Sequence, residues 1–110
     1  MTTTTIVVII SNVNAALLLH TRIAYSEHSF AELALWRLPR RLPSSAHPYK
    51  YRLAYVVRAV CVIRYDNEAG KGDHVHLEGQ ESSYAFGSPK RLISDFQDQI
   101  ERWNRENPDT

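Results

Sequence analysis

The stretch from Tyr49 to His76, YKYRLAYVVRAVCVIRYDNEAGKGDHVH, limits what this chain can fold into more than any other. Two runs rich in Val, Ile, Tyr and Ala (Tyr49 to Val57 and Val60 to Asp66) flank Arg58-Ala59, and a polar glycine loop, Asn67 to Asp73, then delivers His74 and His76. Runs of β-branched and aromatic residues broken by two residues predict a β-hairpin. With Arg58 and Ala59 as its loop, Val57 faces Val60, Tyr55 faces Val62, Leu53 faces Arg64 and Tyr51 faces Asp66. The other side then pairs Val56 with Cys61, Ala54 with Ile63, Arg52 with Tyr65 and Lys50 with Asn67, because facing residues share a side and alternate ones change it. This register gathers Tyr49, Lys50, Tyr51, Arg52, Arg64, Tyr65, Asp66 and Asn67 at the open end of the hairpin, just before the loop. Any one of them suits a solvated sheet end with cross-strand ion pairs; the set, with the loop and its histidines, reads as a site.

A chain of 110 residues supports one core and one domain. Its single cysteine, Cys61, excludes an internal disulfide framework, and its apolar neighbours predict a small buried thiol in a reducing, cytoplasmic setting. The net charge is only +1, yet no acid occurs between Glu32 and Asp66, where Arg37, Arg40, Arg41, Lys50, Arg52, Arg58 and Arg64 all fall. A basic middle of this kind points to an anionic partner. Residues 1–14 lack the basic start and cleavage pattern of a signal peptide and are too interrupted to span a bilayer, so an N-terminal arm or an extra edge strand is expected there.

From residue 15 to 106 the pattern predicts one domain. Ala15 to Tyr25 and Phe30 to Leu38 form a strand pair joined at Ser26 to Ser29, with Leu33 and Leu35 alternating against Glu32, Ala34 and Trp36. The proline-rich segment Pro39 to Pro48 is a surface crossing. Leu77 to Gln80 turns at Gly79, Ser82 to Phe86 offers a short strand, and Ser88 with Pro89 starts a helix that runs to about Asn104. Leu92, Phe96, Ile100 and Trp103 recur at helical spacing and should be buried. The fold class expected is α+β: an antiparallel sheet of four to five strands, built of hairpins and covered by one C-terminal helix.

From about Ala15 to Trp103 the chain resembles the TumE-type toxins of bacterial two-gene toxin-antitoxin systems. The resemblance is carried by Ala31-Glu32-Leu33 with Trp36 and Leu38-Pro39, by Ser45-Ala46-His47 and Tyr49-Lys50-Tyr51-Arg52-Leu53, by the uninterrupted Arg64-Tyr65-Asp66-Asn67-Glu68-Ala69-Gly70-Lys71-Gly72-Asp73-His74 with His76, and by Asp95-Phe96 and Glu101-Arg102-Trp103. It implies a small toxin neutralised by a cognate antitoxin, a helix-turn-helix protein encoded beside it. It supplies no residue roles. Similar chains carry an Asp-Gly type turn where this one has Arg58-Ala59, so the turn here is either longer than two residues or strained.

The residues themselves allow two kinds of chemistry. An extended His74–His76 segment projects both imidazoles from one face, about 7 Å apart. In the first reading a histidine takes the 2′-hydroxyl proton of RNA, an acid protonates the leaving oxygen, and Lys71 and Arg64 stabilise the phosphorane, with Asp66 beside them. This endoribonuclease needs no cofactor and no metal, and Tyr49, Lys50, Tyr51, Arg52 and Tyr65 position the nucleic acid. In the second, His74 and His76 with Asp66 or Asp73 hold a divalent metal, which a bare HxH signals only weakly. The alternative from a different class is a non-catalytic module that binds single-stranded nucleic acid or an antitoxin through basic residues and tyrosines. No membrane association is expected, and a homodimer stays open.

Overall fold

The computed structural model describes residues 2–3, 15–43 and 45–108. Six strands, β2 (Ala16–Ala24), β3 (Ser29–Arg37), β4 (Tyr49–Val57), β5 (Val60–Glu68), β6 (Gly72–Leu77) and β7 (Gln80–Ser83), precede one helix, α1 (Pro89–Glu106). They form an antiparallel sheet in which sequence neighbours are sheet neighbours, extended at one edge by the two-residue β1 (Thr2–Thr3), which pairs with Ile23 and Arg22. The rest of the arm or edge strand expected over residues 1–14 lies outside the described residues. The class is α+β as expected.

Among the described residues the sheet has six strands besides the two-residue β1, rather than four to five. The segment after Asn67, expected to be a loop, is itself a hairpin: β5 continues to Glu68, Ala69 to Lys71 turn, and β6 begins at Gly72. Asp73, Val75 and Leu77 alternate with His74 and His76, a period of two that a strand satisfies and a loop has no use for. A second turn follows at once, with Glu78 and Gly79 both at positive φ, and the last strand is Gln80–Ser83 instead of one reaching Phe86.

The register of the central hairpin also differs from the expected one. The turn is a two-residue loop with Arg58 at φ 49° and Ala59 at φ 68°, so of the two outcomes open for it the structure adopts the strained one. Val57 faces Val60 and Val56 faces Cys61, but a bulge between Tyr55 and Val56 then shifts every later pair by one residue. Tyr55 faces Ile63, Leu53 faces Tyr65 and Arg52 faces Asp66. A bulge absorbs one extra residue in one strand, and here it sorts two faces that a simple register mixes. Tyr51, Leu53, Tyr55, Ile63 and Tyr65 all turn into the core, while Arg52, Arg64 and Asp66 share the opposite side.

The helix covers the first of these faces. Ser88 caps it by accepting from Arg91 N–H at 3.1 Å, Pro89 opens it, and Leu92, Phe96 and Ile100 are buried. Phe96 meets Tyr65 edge-on, and Tyr55 donates from its hydroxyl to Asn104 Oδ1 at 2.7 Å. Trp103, expected to be buried, is only partly so: it lies at the end of the stripe, edge-on to Tyr55, and donates from Nε1 to Glu78 at 2.9 Å. Cys61 is exposed instead of buried, because it lies next to the turn on the side away from the helix. No described helix is long and apolar enough to cross a membrane.

Candidate functional site

The face away from the helix carries two cross-strand rows. In one, Arg52 on β4 faces Asp66 on β5, which faces His74 on β6, which faces Ser83 on β7. In the next, Ala54, Arg64, His76 and Glu81 follow one another across the same strands. Directly opposed residues bring their side chains together, so residues distant in the chain become one cluster without any loop to arrange them.

Asp66 and His74 form the buried centre of that cluster, at 5% and 4% exposure. His74 Nδ1 lies 3.0 Å from the Gly72 carbonyl, which can only accept, so Nδ1 carries a hydrogen. His74 Nε2 lies 2.5 Å from Asp66 Oδ1. The two groups meet as a close contact of imidazole and carboxylate, without the alignment of a hydrogen bond. The other Asp66 oxygen is 3.0 Å from Arg64 Nε. Arg64 also reaches His76 Nε2 at 2.9 Å; a guanidinium has only hydrogens to offer, so His76 Nε2 is the acceptor and presents a lone pair. The two imidazoles lie with their rings 5.1 Å apart.

At the rim, Glu81 lies 3.5 Å from His76 Nε2, 3.8 Å from His74 Nε2 and 3.0 Å from Lys71 Nζ. That bond to Lys71 holds the Glu81 carboxyl below the usual carboxylate range, and the Lys71 ammonium is raised in turn. Glu81 did not stand out in the sequence. Its signal was present: a two-residue turn at Glu78-Gly79 places Glu81 opposite His76 by counting alone.

Asp66, His74 and His76 present ligand atoms within 4.8 Å of one another, and the bond from His74 Nδ1 to a carbonyl is one that metal-binding histidines commonly make. Arg64 stands in the way of an ion there, since its guanidinium already sits 3.0 Å from Asp66 and 2.9 Å from His76 as the cation of the group. Asp73, the other carboxylate considered for such a site, points to the opposite side of the sheet. It accepts from His47 Nε2 and from the Tyr51 hydroxyl, each at 2.7 Å. His47 also stacks on Phe86 at 3.8 Å, which ties the proline-rich crossing to the sheet.

The expected site residues therefore divide. Arg64, Asp66, His74 and His76 come together, Lys71 joins them through Glu81, and Arg52 lies exposed in the same row as Asp66 and His74. Tyr51 and Tyr65 do not: the bulge turns both to the helix side, where they are 0% and 3% exposed and cannot stack on bases. Burial, reinforced by the bond to Asp73, raises the Tyr51 phenol, and burial pushes Tyr65 up to about 12. Tyr49 packs near His47 and Phe86 on that same side. Lys50 is engaged with the Asn67 carbonyl.

No curated protein and no solved structure matches the chain. A family model described as Toxin TumE does, over residues 9–104. That span takes in β2 to β7, both rows of the cluster and all but the last two residues of α1, and on this match the chain belongs to the TumE toxin family.

Proposed function

We propose that this toxin cleaves RNA, using the face that bears Arg64, Asp66, His74 and His76. Membership of a toxin family implies an antitoxin partner; in this reading the partner is a helix-turn-helix protein encoded beside the toxin, and both act in the cytoplasm. The observation that carries the reading is the juxtaposition of two imidazoles whose rings are 5.1 Å apart, His76 accepting from Arg64 and His74 set against the Asp66 carboxylate. Cleavage by the 2′-hydroxyl uses a general base and a general acid, roles that two adjacent histidines can share, together with positive charge for the phosphorane.

In the proposed reaction the 2′-hydroxyl replaces Arg64 as the partner of His76 Nε2 and passes its proton there while its oxygen attacks phosphorus. The freed guanidinium turns to a non-bridging phosphate oxygen, with Lys71 and the exposed Arg52 nearby. His74 gives its Nε2 proton to the departing 5′-oxygen, and Asp66 stabilises the charge that His74 carries beforehand. The products are a 2′,3′-cyclic phosphate and a 5′-hydroxyl. No step calls for a metal.

One observation favours a second reading. His74 is 4% exposed, which suits a structural pair at the centre of a binding surface that holds nucleic acid or antitoxin without cutting. Incubating the purified protein with total RNA, with and without EDTA, separates the two. Fragments ending in cyclic phosphate in both samples support cleavage; intact RNA in both leaves binding alone, and cleavage abolished by EDTA overturns the metal-independent mechanism.

A further inference from the structure

The proposed reaction needs an oxyanion beside His76, His74 and Lys71, and the protein already places one there. Glu81 Oε1 is 3.0 Å from Lys71 Nζ and 3.8 Å from His74 Nε2, and its Oε2 is 3.5 Å from His76 Nε2. The Lys71 contact is one a phosphate oxygen would make, and the other two put the carboxylate within reach of both imidazoles. We infer that the Glu81 carboxylate fills the subsite of the scissile phosphate, and that a phosphate-class oxyanion binds by displacing it.

Two features make Glu81 displaceable. It lies on β7, a four-residue strand at the sheet edge on which every residue is exposed. Its side chain has three rotatable bonds, and its ion pair with Lys71, half-exposed at 50%, is of a kind that contributes little stability. The groups beside it are more deeply set: Asp66 and His74 are buried, and Arg64 contacts Asp66 and His76. Displacement uncovers His74 Nε2 and releases Lys71 to the incoming anion, so the same movement admits substrate and exposes the acid. Only the identity of the natural ligand, an RNA phosphodiester, rests on the function proposed above.

The test is binding of inorganic phosphate, and separately of a 2′-deoxy dinucleotide that cannot be cleaved, followed through the imidazole signals of His74 and His76 by NMR. Parent, Glu81→Gln and Glu68→Gln are compared after thermal melts confirm that all are folded; Glu81→Ala replaces Glu81→Gln if the latter is not. Glu68 is an exposed acid at the same hairpin end, so its variant carries the same change in net charge. Glu81→Gln should bind both anions roughly tenfold more tightly than the parent, since a competing charge within 4 Å is removed, and Glu68→Gln should change binding little. Unchanged or weaker binding by Glu81→Gln, or equal tightening by Glu68→Gln, overturns the inference. Zinc alone gives the opposite prediction: if Glu81→Gln loses zinc affinity and gains none for phosphate, the cluster is a cation site and the inference falls. Phosphate tightened in a protein that does not cleave RNA sustains the subsite and removes the nuclease reading; cleavage by a protein whose Glu81→Gln variant binds phosphate no better does the reverse.

Discussion

The side chain of Asn67 takes the place of a main-chain partner for Tyr51: its Oδ1 accepts from Tyr51 N–H at 2.9 Å, and its Nδ2 donates to the Tyr49 carbonyl at 2.7 Å. The β4–β5 ladder ends at Arg52 and Asp66, and beyond it this one amide closes the sheet. Asn67 is 1% exposed, so no water can substitute. Asn67→Ala should cost about 3 kcal/mol, because two buried backbone groups lose their partners. Asn67→Asp should also destabilise, since a carboxylate cannot donate to Tyr49. Urea denaturation of the three proteins checks this; a loss below about 1 kcal/mol for Asn67→Ala would show that the strand end repairs itself.

Asp66 and His76 should separate stability from chemistry. Asp66 is 5% exposed and contacts both Arg64 and His74, so Asp66→Ala leaves the buried imidazole and the half-buried guanidinium without their carboxylate and should cost about 3 kcal/mol. His76, whose side chain is 21% exposed, should tolerate Ala with less than about 1 kcal/mol of loss, while RNA cleavage and growth arrest fall roughly 10²- to 10⁴-fold. Full toxicity of a folded His76→Ala protein would remove His76 from the mechanism.

Ala59 holds φ 68° in the β4–β5 turn, a conformation in which its Cβ crowds the following carbonyl. Glycine has no such crowding and suits the second position of this turn. Ala59→Gly should therefore stabilise the protein by about 0.5–1 kcal/mol, read as a higher midpoint in thermal melting. A lower midpoint would mean that the flexibility of glycine in the unfolded chain outweighs the relief of strain.

Alkaline pH should unfold this protein earlier than its charge suggests. Burial raises Tyr51 and pushes Tyr65 up to about 12, whereas the same phenols titrate near 10 in an unfolded chain. Above pH 10 the unfolded state has released protons that the folded state retains, so stability falls as pH rises toward the folded values. Each buried phenol contributes a slope of up to about 1.4 kcal/mol per pH unit. Tyr65→Phe should flatten the loss between pH 10 and 12, measured as urea midpoints against pH; an unaltered slope would place the titration elsewhere.

The helix was legible because its evidence is local. Ser88-Pro89 marks the start, and Leu92, Phe96 and Ile100 mark the buried stripe through a period that any window of the chain displays. The strand pairs before Pro39 and around Arg58-Ala59 were legible for the same reason. The histidine strand was not: charged and glycine residues from Asn67 to Asp73 read as loop, and only pairing of Glu68 with Gly72 and Asp66 with His74 shows that the polar side chains belong to a sheet face.

The one-residue bulge beside Val56 is what decides the candidate site. Residue order determines that hydrophobic side chains alternate along β4 and β5, and it determines which residues can offer acids, bases and cations. It does not determine how the two alternations are phased, because either phasing leaves a respectable hairpin when the two strands are considered alone. The helix breaks that tie. Leu92, Phe96 and Ile100 present an apolar surface that Leu53, Tyr55, Ile63 and Tyr65 can cover together, whereas without the bulge Arg64 and Asp66 would share that side with Leu53 and Tyr51. Burying unpaired charge against the helix costs far more than one disrupted ladder position, so the strand takes the bulge, and Arg64 and Asp66 turn outward to meet His74, His76 and Glu81.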